Sequence, residues 1–98
     1  MKATRTDVYD ALDTERDYQQ KKFGGDAPRS VGDFLVYMQD YLTEAVRQAT
    51  RDPSSQESNT VSYATLETVR KITAIGVACM EQHGAPQRAS YVFPTGGQ

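Results

Sequence analysis

Apolar positions along this chain recur with the period of an α-helix in three runs, separated by glycine-, proline- and serine-rich breaks. The first run opens at Thr6-Asp7, where an acidic first turn favours a helix start. Val8, Ala11, Leu12, Glu15, Tyr18, Gln19 and Lys22 then fall on one stripe, apolar at first and polar after Leu12. Phe23-Gly24-Gly25 ends it, because paired glycines supply a left-handed cap and then a turn. The second run has Ser30 as its cap and Asp33 in the first turn, where the helix dipole favours a negative charge. Phe34, Leu35, Met38, Tyr41, Leu42, Ala45, Val46 and Ala49 continue it at helical spacing, with Tyr37, Asp40, Glu44, Arg47 and Gln48 on the other flank. The third run, Leu66 to Gly84, begins near residues 62–65. It is apolar or small almost all round between Ile72 and Met80 and stops at Gly84 with Pro86 beyond.

The pattern predicts an all-α fold: a three-helix antiparallel bundle with helices over about 6–23, 30–50 and 62–83, forming one helical domain over 1–84. Residues 51–61 are polar, serine-rich and interrupted by Pro53, which reads as a mobile loop. Residues 85–98 read as an extended, non-helical tail whose Tyr91-Val92-Phe93 is apolar enough to dock on the domain or on a neighbouring subunit. A third helix apolar on most sides cannot be covered by two short partners, so the bundle is expected to be completed by homo-oligomerisation, through a two-fold axis in the simplest case.

Composition narrows the functional classes. With 98 residues the chain has room for one small core. A formal charge of −2 and a pI near 5.3 give no polyanion footprint, so duplex nucleic acid is not an expected partner. No apolar run reaches the ~20 residues needed to cross a bilayer, and the N-terminus lacks a secretory h-region, so no membrane association and a cytoplasmic location are expected. Cys79 is the single cysteine, which excludes an internal disulfide and reads as a buried thiol in a reducing compartment.

Several residue groups carry candidate chemistry, each with an ordinary alternative. Glu15 either faces a cavity, metal or ligand, or lies where the stripe rotates outward, or pairs with an arginine. Asp40 and Glu44, four apart on one helix face, could hold a hard cation or simply bracket Arg47 on a solvated surface. Glu67 and Lys71 have the spacing of an i,i+4 ion pair, which accounts for Lys71 but not for Arg70. The adjacent Arg70 and Lys71 suit a phosphate, bidentate from Arg and as a point charge from Lys. Tyr9, Tyr18, Tyr37, Tyr41 and Tyr63 offer walls for a nucleobase or ordinary packing at the core margin. His83, in the last turn, can bond the final carbonyls. No catalytic triad, phosphate-binding glycine loop or zinc pattern is present in the sequence.

The run Glu15-Arg16-Asp17-Tyr18-Gln19 with Lys22-Phe23-Gly24 resembles the ER-x-x-Q-x-x-K-[WF]-G opening of small phage-type MazG-like proteins. Asp40-Tyr41-Leu42-Thr43-Glu44-Ala45 and the third helix ending Ala78-Cys79-Met80-Glu81 extend the likeness thinly over residues 8–84. That resemblance implies an all-α, oligomeric nucleoside triphosphate pyrophosphohydrolase whose acidic motifs hold Mg²⁺, with Glu15, Asp40, Glu44, Glu67 and Glu81 as its acidic residues here. The sequence departs at those motifs: Tyr41 leads the Glu-x-x-Glu position, and Arg70 or Lys71 stands where an aspartate is expected. A basic residue there removes a ligand and repels the ion.

The expectation is therefore a non-catalytic protein without a cofactor. It would sequester a phosphorylated nucleotide or nucleotide-derived immune signal, as phage anti-defence proteins do, through Arg70, Lys71, Tyr18, Tyr37, Tyr41 and Glu15. A phage-encoded chain would act in the host cytoplasm. The alternatives are a Mg²⁺-dependent pyrophosphohydrolase using Glu15, Asp40, Glu44 and Glu67, and a protein-binding inhibitor of a host defence complex that uses the acidic surface and the apolar tail.

Overall fold

The computed structural model describes residues 2–24, 27–51 and 63–89, with the backbone alone at Arg51. The described residues form three helices and no strand: α1 (Arg5–Phe23), α2 (Val31–Arg51) and α3 (Tyr63–His83). The predicted loop lies almost wholly outside the described residues, as does Tyr91-Val92-Phe93. Residues 84–89 are described and carry no regular secondary structure.

The helix ends follow from local chemistry. α1 begins at Arg5, one residue before the expected Thr6, because Thr4 caps it and forms a capping box with Asp7: Asp7 N–H donates to Thr4 Oγ1 (3.1 Å) and Thr4 N–H to Asp7 Oδ2 (3.0 Å). Those bonds hold the Asp7 carboxyl below its ordinary pKa. Their help to the helix start is therefore present above the unfolded-state pKa and is lost as pH falls through the lowered value. Ser30 and Asp33 make the same reciprocal pair at α2, at 3.1 and 3.0 Å. Gly24 ends α1 at φ 82°, ψ 24°, its N–H donating to the Gln20 carbonyl. Gly84 ends α3 at φ 117°, its N–H donating to the Met80 carbonyl at 2.8 Å.

α3 is the shared element. Both α1 and α2 pack on it, α2 more extensively, and the two do not pack on each other. α2 and α3 run antiparallel. Phe34 near the start of α2 meets the His83 ring edge-on at 6.2 Å, Met38 lies against Gly76, and Gln48 near the end of α2 accepts from the Thr68 hydroxyl at 3.2 Å. Ala74 has no exposure, and its small side chain sits at the centre of the packing.

This open arrangement changes the expected core. The buried apolar side chains among the described residues are Phe34, Ala45 and Ala74 only. Leu35, Leu42 and Val46 were expected inside and are exposed, because α1 is not there to cover that side of α2. On α1 the buried residues are Glu15 and Gln19, while Val8 is exposed. Most of the third helix between Ile72 and Cys79 is half-buried rather than enclosed, Cys79 included.

Two glycine substitutions test the packing of α3. A Cβ at Gly76 would meet the flexible end of Met38 at an ordinary 3.5 Å. Gly76→Ala is therefore expected to stabilise the protein by about 0.5–1 kcal/mol through helix propensity. Gly84→Ala should destabilise it by about 1 kcal/mol, since an L side chain resists φ 117°. Urea unfolding of both variants reads the two opposite signs.

Candidate ligand-binding cleft

Because α1 and α2 contact α3 but not each other, a cleft of about 370 Å³ opens between them. That volume falls in the range of small-molecule sites. One wall is α1, through Glu15, Arg16, Tyr18, Gln19, Gln20, Lys22 and Phe23. The opposite wall is Arg29 with Phe34, Tyr37 and Tyr41 of α2, and the floor is Lys71, Ile75, Ala78 and Gln82 of α3. Helical spacing explains the membership. Positions 34, 37 and 41 share one side of α2, and positions 71, 75, 78 and 82 one side of α3.

A polar joint fixes the first wall to the floor. Glu15 is 7 % exposed, and its Oε1 accepts from Arg70 Nε at 2.9 Å. Gln19 Nε2 lies 3.4 Å from both Glu15 Oε2 and the Lys71 carbonyl oxygen, so one amide links the carboxylate to the α3 backbone. A second link lies along the same helix: Arg16 donates through Nε and Nη2 to the two carboxylate oxygens of Glu81. The second wall is tied down at its start. Arg29 N–H donates to Gln82 Oε1 (3.0 Å), and Gln82 Nε2 donates to the Ala27 carbonyl (3.1 Å). His83 Nε2 is 2.7 Å from the Arg29 carbonyl oxygen, so that nitrogen carries the hydrogen. His83 thus bonds the connector before α2 rather than the last carbonyls of its own helix.

The charge in the cleft is one-sided. Its lining holds four cationic side chains, Arg16, Lys22, Arg29 and Lys71, and one carboxylate, Glu15. Glu15 is neutralised by Arg70, and Arg16 by Glu81. Among the described residues, Lys22, Arg29 and Lys71 make no ion pair. Arg29 instead lies with its guanidinium carbon 5.4 Å from the Tyr37 ring centre and donates from Nη1 to the Tyr37 hydroxyl at 2.8 Å. Lys22 Nζ stands 5.6 Å from the Tyr18 ring centre and 5.4 Å from that of Phe23. Cation–aromatic contacts of this kind hold a charge in place without cancelling it.

Of the residues singled out in the sequence, Glu15, Tyr18, Tyr37, Tyr41 and Lys71 all line the cleft. Arg70 does not line it, and its Nε is committed to Glu15. Of the three readings open from sequence, Glu15 fulfils two, lining the cleft and pairing with an arginine, and at 7 % exposure it does not rotate outward. Asp40, Glu44 and Glu67 are exposed and outside the cleft, with Glu44 3.6 Å from Arg47. Glu67 and Lys71 form no ion pair. Among the described residues, no three His, Cys, Asp or Glu side chains lie together as a metal set.

Sequence reasoning passed over Lys22, Arg16 and Arg29 as site residues. Lys22 follows Tyr18 by one helical turn, a spacing that puts both on the same face. For Arg29 the sequence carries no comparable signal, since its placement depends on Gln82 and His83 more than fifty residues away. Glu15, Arg16, Gln19, Lys22 and Phe23 all lie on the cleft side of α1, beside Tyr18 and Gln20. Neither protein-family models, nor curated proteins, nor solved structures match this chain.

The joint predicts a measurable coupling. Glu15→Ala and Arg70→Ala should each cost about 1–3 kcal/mol in urea unfolding. That is less than a fully buried pair would lose, because the Arg70 side chain keeps 35 % exposure. The double variant should lose less than the sum of the two. Glu81→Ala, removing a partner that is half exposed, should cost under about 1 kcal/mol.

Proposed function

We propose that this chain is a non-catalytic nucleotide-binding protein that holds a phosphorylated nucleotide, or a signal derived from one, in the cleft between α1 and α2. The observation that carries the reading is the surplus of Lys22, Arg29 and Lys71 in a cleft whose one carboxylate is already paired. Phosphate is the common small-molecule group that matches several converging cations, and Arg and Lys bind it with charge-assisted hydrogen bonds. Tyr18, Tyr37 and Tyr41 supply flat aromatic faces on the two walls, where a nucleobase can stack. Lys71 takes the leading phosphate-binding role here, because Arg70 serves the joint with Glu15.

Holding is favoured over hydrolysis by the scatter of the acidic side chains. A metal-assisted pyrophosphohydrolase needs several carboxylates converging on its ion. Here Glu15 faces Arg70, while Asp40, Glu44 and Glu67 lie on exposed surface away from the cleft. Kinship with MazG-like proteins belongs to the same proposal. It rests on the motif residues Glu15, Arg16, Gln19, Lys22 and Phe23, which the fold gathers on one wall.

Isothermal calorimetry against cyclic di- and trinucleotides, ADP-ribose derivatives and nucleoside triphosphates tests the proposal. At least one should bind, and Lys71→Ala should weaken it by about 10- to 100-fold, the loss of one charge-assisted phosphate contact. The bound compound should be recovered unchanged. No binding across the panel, or binding indifferent to Lys71→Ala, rejects it.

A further inference from the structure

Arg29 is fixed at both ends. It stands in the connector before α2, outside any helix, yet both polar groups of its backbone bond to the last turn of α3. Its N–H donates to Gln82 Oε1 at 3.0 Å, and its carbonyl accepts from His83 Nε2 at 2.7 Å. Gln82 grips the same stretch a second time, donating from Nε2 to the Ala27 carbonyl at 3.1 Å. At the other end, Arg29 Nη1 donates to the Tyr37 hydroxyl at 2.8 Å. An arginine on a free connector samples many rotamers, and ordering it works against binding. Here contacts within the chain have already done that ordering.

What the two anchors leave over is specific. Among the described residues Arg29 makes no ion pair, and its Nε and Nη2 make no hydrogen bond. Those two N–H groups share one edge of the guanidinium and form a fork that takes both oxygens of one anion. The chain shows the same fork in use on α1, where Arg16 holds the two carboxylate oxygens of Glu81 through Nε and Nη2. Tyr37 adds a third donor: its hydroxyl oxygen accepts from Arg29, so the hydroxyl hydrogen is left for another acceptor. Both residues line the cleft, and Arg29 is half-buried. A planar carboxylate fills the fork and has no oxygen left outside its plane. A tetrahedral phosphate has further oxygens out of that plane, within the compass of a third donor.

We propose that Arg29 and Tyr37 form the phosphate-selecting subsite of the cleft. Arg29 holds two oxygens of one phosphate through Nε and Nη2, Tyr37 donates its hydroxyl to a further oxygen, and Gln82 is the residue that positions Arg29. This rests on the reading of the cleft as a nucleotide site and adds a division of labour to it. Lys22 and Lys71 supply charge, which any anion answers, while the Arg29–Tyr37 pair supplies a shape that a phosphate fits. Arg29 is therefore not exchangeable for lysine, which keeps the charge and loses the fork.

NMR titration of the isotope-labelled full chain with inorganic pyrophosphate, and separately with acetate at the same ionic strength, tests the proposal. The readout is the Arg29 Nε–H resonance, assigned by its loss in Arg29→Lys. Pyrophosphate should move it saturably and acetate should not. Followed on the backbone amides of the cleft, Arg29→Lys should weaken pyrophosphate binding by about 10- to 100-fold and Tyr37→Phe by about 3- to 10-fold, the losses of a charge-assisted pair and of one neutral donor. Gln82→Ala should weaken it by about 3- to 10-fold in the wild type and have no further effect in Arg29→Ala, a dependence that a merely structural role would not show. An Arg29 resonance unmoved by pyrophosphate, an equal response to acetate, Arg29→Lys or Tyr37→Phe binding as the wild type does, or an equal Gln82→Ala loss in both backgrounds would overturn the proposal. If Arg29 responds as expected and no nucleotide of the calorimetric panel binds, the phosphate subsite stands and the nucleotide reading falls. If a nucleotide binds and Arg29→Lys holds it equally well, the nucleotide reading stands and the subsite falls.

Discussion

The ion pair between Glu15 and Arg70, extended by Gln19 to the α3 backbone, is the interaction on which the site depends. α1 has almost no apolar grip on the rest of the molecule: its buried residues are Glu15 and Gln19, and Val8 and Tyr9 point to solvent. A helix held by a polar joint is placed by hydrogen-bond geometry, which is directional, rather than by hydrophobic contact, which is not. The joint satisfies a carboxylate that would otherwise be costly to bury, and no buried side-chain nitrogen or oxygen among the described residues is left without a partner. Its position keeps α1 over one side of α3 while α2 covers another, and the space between them is the cleft.

The same joint decides which cations are left for a ligand. Arg70 is consumed by Glu15 and Arg16 by Glu81, both for attachment of α1. Lys22, Arg29 and Lys71 come from three separate places in the chain and retain their charge in the cleft. Two of them are steadied by aromatic rings, which orient a cation without neutralising it. Attachment and binding thus use the same residue types on neighbouring positions. Arg70 and Lys71, adjacent in sequence, fall on different sides of that division because one residue turns a helix by about 100°.

How much of this was legible in the sequence can be judged from particular residues. The three helices were, because Ser30 with Asp33, Gly24 and Gly84 are local signals whose effect does not wait for tertiary structure. Glu15 stood out because it broke an apolar stripe, and Tyr37 and Tyr41 as aromatic faces for a base, although the pattern set Tyr37 on the flank opposite Tyr41 and the fold puts both on one wall. What could not be read was which face of each helix would find a partner. Leu35, Leu42 and Val46 match the helical period as well as Phe34 and Ala45 do, yet only the latter pair is buried. Periodicity reports that a face is apolar and is silent on whether this chain or another covers it. Arg29 was illegible for a related reason, its place being set by bonds from Gln82 and His83 on a distant helix.

The central claim is that a cleft with three uncompensated cations and aromatic walls retains a phosphorylated nucleotide. It is tested most directly without choosing the ligand in advance. The purified protein would be soaked in a deproteinised cell extract, repurified and denatured, and the released small molecules identified by mass spectrometry. The account predicts a compound bearing at least one phosphate and a nucleobase, retained by the wild type and absent from a chain carrying Arg29→Ala and Lys71→Ala. Release of a compound without phosphate, or equal retention by the double variant, would contradict it.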